Sequence, residues 1–114
     1  MSTYVVLVYG ADPTLHGLTD ADRAELLAQH QAFQEKHGAS IKLGDGLQPV
    51  STARSIQVGD GSLAVTDGPF VETKEVLGGF YAIEAADLDE AIAIASDVPA
   101  PFGGVEVRPV MVFT

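Results

Sequence analysis

Among 114 residues there are three histidines and no cysteine, so thiolate nucleophiles, thiolate metal sites and disulfides are excluded and acid–base chemistry falls to imidazole and carboxylates. His30 recurs with Leu26, Leu27 and Phe33 at the spacing that lines one face of a helix. An imidazole titrates near neutrality and burial tunes it, so His30 is a candidate general acid or base. The same position also suits a core histidine with hydrogen-bonded ring nitrogens, and both readings stand. A proton-transfer role needs a partner carboxylate, and Asp67 is the candidate, because Gly68-Pro69 behind it fix a tight turn. Its alternative role is to cap backbone N–H groups of that turn.

Glu72, Lys74 and Glu75 form a charged cluster in which Glu72 and Lys74 point to one side of an extended segment. Such clusters are commonly solvated pairs of little energetic value. Lys74 is nonetheless the nearby cation able to hold an anionic ligand group, and Tyr81 offers a hydroxyl to the same cavity or a ring to the core. Arg108, between Val107 and Pro109, reads as an ion-pair partner for Glu106 or Glu84 before it reads as a substrate clamp. His16 and His37 fall in a loop and at a helix end, where solvation is the simpler reading. No His-x-His or His-x-x-x-His spacing occurs, so no metal site is expected. The glycines at 44, 46, 59 and 61 open no helix, which argues against a phosphate-binding loop, and no cofactor is expected.

The elements that must position these groups are legible. Residues 3–9 are β-branched or aromatic almost throughout and predict a strand apolar on both faces. Thr19 with Asp22 forms a capping box before a helix that closes at Gly38. A strand is predicted over 39–47, then a hairpin of 52–58 and 62–66 around Gly59-Asp60-Gly61. The strand at 76–84 carries paired glycines that suggest a bulge or a close backbone approach. Asp87 opens a second helix with Leu88, Ala91, Ile92 and Ala95 on one face, Pro99 ends it, and 104–113 form the last strand.

Short right-handed crossovers fold this order into a single α+β domain over 1–114: a ferredoxin-like βαββαβ sandwich with an inserted hairpin and both helices on one sheet face. The other face stays apolar. At roughly 25 cal/mol per Å², several hundred Å² of uncovered sheet favours association by several kcal/mol, so a two-fold homodimer is expected. A net charge of −10 with six scattered cations (Arg23, Lys36, Lys42, Arg54, Lys74, Arg108) argues against nucleic acid and membrane surfaces. No apolar run reaches the ~18 residues of a membrane span and no leader is evident, so a cytoplasmic protein is expected.

The run Thr66-Asp67-Gly68-Pro69-Phe70-Val71-Glu72-Thr73-Lys74-Glu75-Val76-Leu77-Gly78-Gly79-Phe80-Tyr81 resembles the YCII-related, or DGPF-domain, family. Tyr9-Gly10, His30-x-x-Phe33, Leu47-Gln48-Pro49 and Val105-Glu106-Val107-Arg108-Pro109-Val110 extend the resemblance over essentially the whole chain. It implies a dimeric ferredoxin-like α/β barrel, a cleft with a histidine–aspartate pair, and a motif whose Glu72, Lys74 and Glu75 line a pocket rim or dimer seam. It also implies an association, in some members, with extracytoplasmic-function sigma factors. Two functions follow as expectations. One is an enzyme acting on a small molecule through His30 and Asp67, with Lys74, Tyr81, Glu72 and Arg108 as ligand-binding candidates. The other is a non-catalytic dimer that binds a ligand or protein in sigma-factor-linked regulation.

Overall fold

In a computed structural model describing residues 1–11, 18–70 and 74–113, β1 (Ser2–Ala11) is the most valine-rich segment and lies inside the sheet, flanked on both sides. It is followed by α1 (Asp20–His37), β2 (Ile41–Gly46), a single 3-10 turn at Val50–Thr52, β3 (Arg54–Gly59), β4 (Ser62–Asp67), β5 (Glu75–Ala85), α2 (Leu88–Ala95) and β6 (Gly103–Pro109). The main sheet has the order β2-β5-β1-β6 with every neighbour antiparallel, and β3 and β4 form a separate two-stranded sheet. This is the ferredoxin-like α+β arrangement with an inserted hairpin. No helix among the described residues is long and apolar enough to cross a membrane.

Local chemistry sets the element ends. Thr19 Oγ1 accepts from the Asp22 amide and the Asp22 carboxylate accepts from the Thr19 amide, each at 3.1 Å, completing the expected capping box. Asp87 accepts from the Glu90 amide at 2.9 Å to start α2. The hairpin turns on Asp60 and Gly61, both with positive φ (48° and 77°), the paired left-handed geometry that matches strand twist.

Alternation along the strands sorts the sheet into two faces. Tyr4, Val6, Tyr81, Ile83 and Ala85 are covered by Phe33 of α1 and by Ala91, Ile94, Ala95 and Val98 in and after α2. Val5, Leu7, Phe80, Ala82 and Leu43 occupy the opposite face, on register pairs Val5 with Ala82, Leu7 with Phe80 and Leu43 with Ala82. Both helices lie against the first face, so the second has no layer over it among the described residues.

Two expectations about the helices need correcting. Of the α1 stripe only Phe33 is buried, and Leu27 is 60% exposed. The helix meets the sheet through Phe33, while its first half faces a glycine-floored gap with no side chains to fill it. In α2 the buried face is Ala91, Ile94 and Ala95, whereas Leu88 and Ile92 are exposed. Small alanines let that helix approach the sheet closely, which turns the bulkier Leu88 and Ile92 outward. The last strand also stops at Pro109, where proline cannot donate to the ladder.

Candidate functional site

The paired glycines of β5 shape the site. Register passes from Val8–Gly79 to Tyr9–Leu77, so Gly78 is the extra residue of a β-bulge beneath α1. A Cβ on Gly79 would stand 3.1 Å from the Asp45 carbonyl, so β2 and β5 approach closely there. A Cβ on Gly44 would overlap the ring of Tyr81. Both sequence expectations for these glycines, a bulge and a close approach, are met together. The outcome is a groove of about 490 Å³ between α1 and the sheet, walled by Leu26, His30, Gln34 and Tyr81 and floored by Gly44, Gly46, Gly78 and Gly79.

His30 is half-buried on the wall of this groove, and its Nδ1 lies 2.7 Å from the Tyr81 hydroxyl. Gln34, one helical turn further along α1, donates from Nε2 to the same hydroxyl at 3.3 Å. The Tyr81 ring is 5% exposed, packs edge-on against Phe33 with centroids 4.8 Å apart, and stacks on His30 at 5.9 Å. Four neighbours (Phe33, Gly44, Gln34 and His30) thus fix the Tyr81 hydroxyl in place. The opposite flank of His30 borders a smaller hollow of about 130 Å³ formed with Gly10, Pro101 and Phe102.

Substituting Gly44 with alanine is expected to push the Tyr81 ring off His30 and to destabilise the fold by about 1–3 kcal/mol, the usual cost of overpacking. Urea unfolding, read together with the His30 NMR titration, checks both effects. An unchanged midpoint and an unchanged titration would contradict the contact.

Burial holds the His30 pKa below its ordinary value of 6.5, which favours the neutral ring. The charged groups that share the groove are Arg23 and Asp45. Between the lowered folded pKa and 6.5 the unfolded chain binds the proton and the fold does not. Stability from this group is therefore complete above about pH 6.5 and is lost as pH falls below it. Glu84, held down by Lys42 and Thr3, and Asp97, held down by His37 and Lys36, contribute stability that is present above their ordinary values of 4.5 and 3.8 and is lost only as pH falls below them. Unfolding midpoints measured between pH 7.5 and 5.5 are expected to fall in the wild type and to fall less in His30→Phe.

The remaining sequence candidates are not brought to this groove within one protomer. Asp67 is the last residue of β4, directly across from Arg54, and its carboxylate pairs with the Arg54 Nε at 3.1 Å. Its side chain is 89% exposed and it borders neither cavity that His30 lines. The expected His30–Asp67 contact is replaced by His30–Tyr81, because the hairpin carries Asp67 away from the sheet. Gly68 (φ 93°) secures the turn instead, its amide donating to Ala53 and its carbonyl accepting from Ser55 Oγ. Lys74 is exposed ahead of β5, and Glu72 lies outside the described residues, as does His16. Arg108 pairs with Glu106 at 3.8 Å on the uncovered sheet face, as its strand position suggested. His37 is not merely solvated: its Nε2 lies 2.7 Å from the Asp97 carboxylate and its ring packs on Phe33. Gln34 was not singled out from sequence, although its four-residue spacing from His30 places both on one helix face.

A larger cavity of about 540 Å³ lies beyond Leu47, between the 3-10 turn, Pro69 and the start of β5. Its walls are mainly Leu47, Pro49, Val50, Val76 and Leu77 and include no histidine. Volume alone favours this cavity, whereas the imidazole–phenol pair favours the groove beneath α1, and chemistry is the better guide to function.

The fold and groove together define a ferredoxin-like α+β domain with a polar pair set in a mostly apolar cleft. The model of the YCII-related domain matches residues 2–114, and the chain belongs to that family. An uncharacterised protein of Rhizobium meliloti (strain 1021) is 35% identical over 115 residues, which cover 96% of this chain and 93% of the relative. Among solved structures, the 5-chloro-2-hydroxyhydroquinone dehydrochlorinase TftG from Burkholderia phenoliruptrix AC1100, in complex with 2,5-dihydroxybenzoquinone, is similar with a TM-score of 0.51. That likeness spans 93% of this chain and 90% of TftG at 19% identity, and it is a likeness of fold.

Proposed function

We propose that the protein is a small-molecule enzyme whose chemistry is proton transfer at His30, with Tyr81 as its partner in the groove beneath α1. The 2.7 Å contact between His30 Nδ1 and the Tyr81 hydroxyl, set in the wall of a 490 Å³ groove, carries this reading. A groove of this size, mostly apolar with a few fixed polar groups, suits a small ligand. Burial leaves His30 neutral near pH 7, with one N–H to present to a ligand. Asp67 serves the hairpin base through Arg54, and Arg108 serves an ion pair with Glu106 on the sheet face away from the groove. TftG, which shares the fold, is named for a chlorinated hydroxyhydroquinone and was solved with a hydroxylated quinone, so small oxygenated rings are the first class to screen. Thermal-shift screening of such compounds, followed by product detection, is expected to yield a hit whose stabilisation is lost in His30→Phe. A hit that stabilises this variant equally would point away from the groove.

A second reading, a non-catalytic dimeric module that binds a ligand or protein in sigma-factor-linked regulation, is favoured by apolar surface rather than by the groove. Ile56, Val58, Leu63 and Val65 share one face of the hairpin and are all more than half exposed, and Val5, Leu7 and Phe80 on the sheet face away from the helices are only partly buried. The radius of gyration is 16.0 Å, above the ~13 Å of a compact chain near this length. A homodimer burying these surfaces is common to both readings. Light scattering at micromolar concentration should give twice the 11.9 kDa chain mass, and a stable 11.9 kDa species would remove the dimer.

A further inference from the structure

The Tyr81 hydroxyl has one proton to give and is 5% exposed, so that proton needs an acceptor. Its bonding partners are Gln34 Nε2, a donor, and His30 Nδ1. The Gln34 contact is the long one at 3.3 Å and the His30 contact the short one at 2.7 Å, the length expected when a hydroxyl donates. No buried side-chain polar atom is left unsatisfied among the described residues, which fits a chain running from Gln34 to Tyr81 to His30.

We propose that this chain holds neutral His30 as its Nε2–H tautomer, making the ring a hydrogen-bond donor to the carbonyl or oxyanion oxygen of a small molecule. The inference rests on the reading of the groove as the functional site and gives that site a direction. With Nδ1 occupied, the ring cannot take a proton there, and Nε2 already carries one. His30 therefore meets the substrate first as a hydrogen-bond donor that stabilises negative charge on its oxygen, not as the base that abstracts a proton. Burial supports this by disfavouring the doubly protonated ring. The substrate class narrows to compounds that present an oxygen acceptor beside an apolar body. Gln34 is a positioning residue in this arrangement, since it acts on His30 through the Tyr81 hydroxyl that it orients.

Two-bond proton–nitrogen correlation spectra of histidine-labelled protein at pH 8 test the tautomer directly. The expected pattern for His30 is a bare Nδ1 and a protonated Nε2, with Tyr81→Phe relaxing it to a mixture and Gln34→Leu weakening it. A protonated Nδ1 in the wild type would overturn the proposal, because the chain would then run from His30 through Tyr81 to the Gln34 carbonyl. For the ligand class, acetophenone is compared with α-methylstyrene, which replaces the carbonyl oxygen by a methylene of similar shape. Acetophenone is expected to shift the His30 Nε2 resonance, and the hydrocarbon to leave it in place. Equal shifts with both would overturn the donor role. The two failures are separable: an Nε2–H ring without turnover of any compound defeats the enzyme reading alone, and turnover with an Nδ1–H ring defeats this inference alone.

Discussion

His30→Phe is expected to lower kcat/KM for the substrate of the groove by about 10²–10⁴-fold, the range contributed by a positioned acid or base. Phenylalanine replaces the imidazole with a ring of similar size, so the stack on Tyr81 persists and only the proton-carrying nitrogens are lost. Tyr81 keeps its Gln34 contact but loses the acceptor of its own proton, so a loss of about 1–3 kcal/mol of stability accompanies the substitution. An unchanged circular dichroism spectrum with collapsed turnover is therefore the predicted pair of observations. Asp67→Asn provides the contrast: the Asp67 carboxylate pairs with exposed Arg54 at the hairpin base, and an exposed pair contributes roughly 0–1 kcal/mol, so turnover should stay close to wild type. If the two variants exchanged these outcomes, the acid–base centre would lie at the hairpin base and not beneath α1.

Ile83→Ala is expected to destabilise the fold by about 2–5 kcal/mol, the cost of removing a large aliphatic chain from a core that cannot collapse around the gap. Ile83 is fully buried on β5, registers with Tyr4 on β1 and Ile41 on β2, and lies in the cluster covered by Phe33 and α2. The chain offers few large buried side chains to share the load, since α2 presents alanines to the sheet. Denaturant unfolding should show a lower midpoint with an unchanged slope. A loss under 1 kcal/mol would mean that the helix layer moves in to fill the space.

The fold was legible because local signals agreed with one another. The Thr19–Asp22 box, Asp87 at the head of α2, the Asp60-Gly61 turn and the β-branched run of β1 each specify one element, and their order leaves few topologies. The site was legible only in part. His30 and Tyr81 were both singled out, yet their contact arises from β5 lying beside β2 and beneath α1, a 51-residue separation that spacing cannot show. Asp67 was drawn to His30 because rigid turns often bear functional carboxylates, and the hairpin insertion takes it elsewhere. The α1 stripe misled for a related reason: periodicity identifies the face turned toward the sheet, but not whether side chains or a groove fill the space. Gly44 and Gly79 decide that question by removing Cβ atoms where β2, β5 and Tyr81 crowd together.

Amide chemical-shift mapping with the first compound that raises Tm locates the site most directly. The predicted result is a set of perturbations at Gly44–Leu47, Gly78–Tyr81 and the α1 turn holding His30 and Gln34. Perturbations confined to Gln48, Val50, Thr52 and Ala53, around the larger histidine-free cavity, would contradict it.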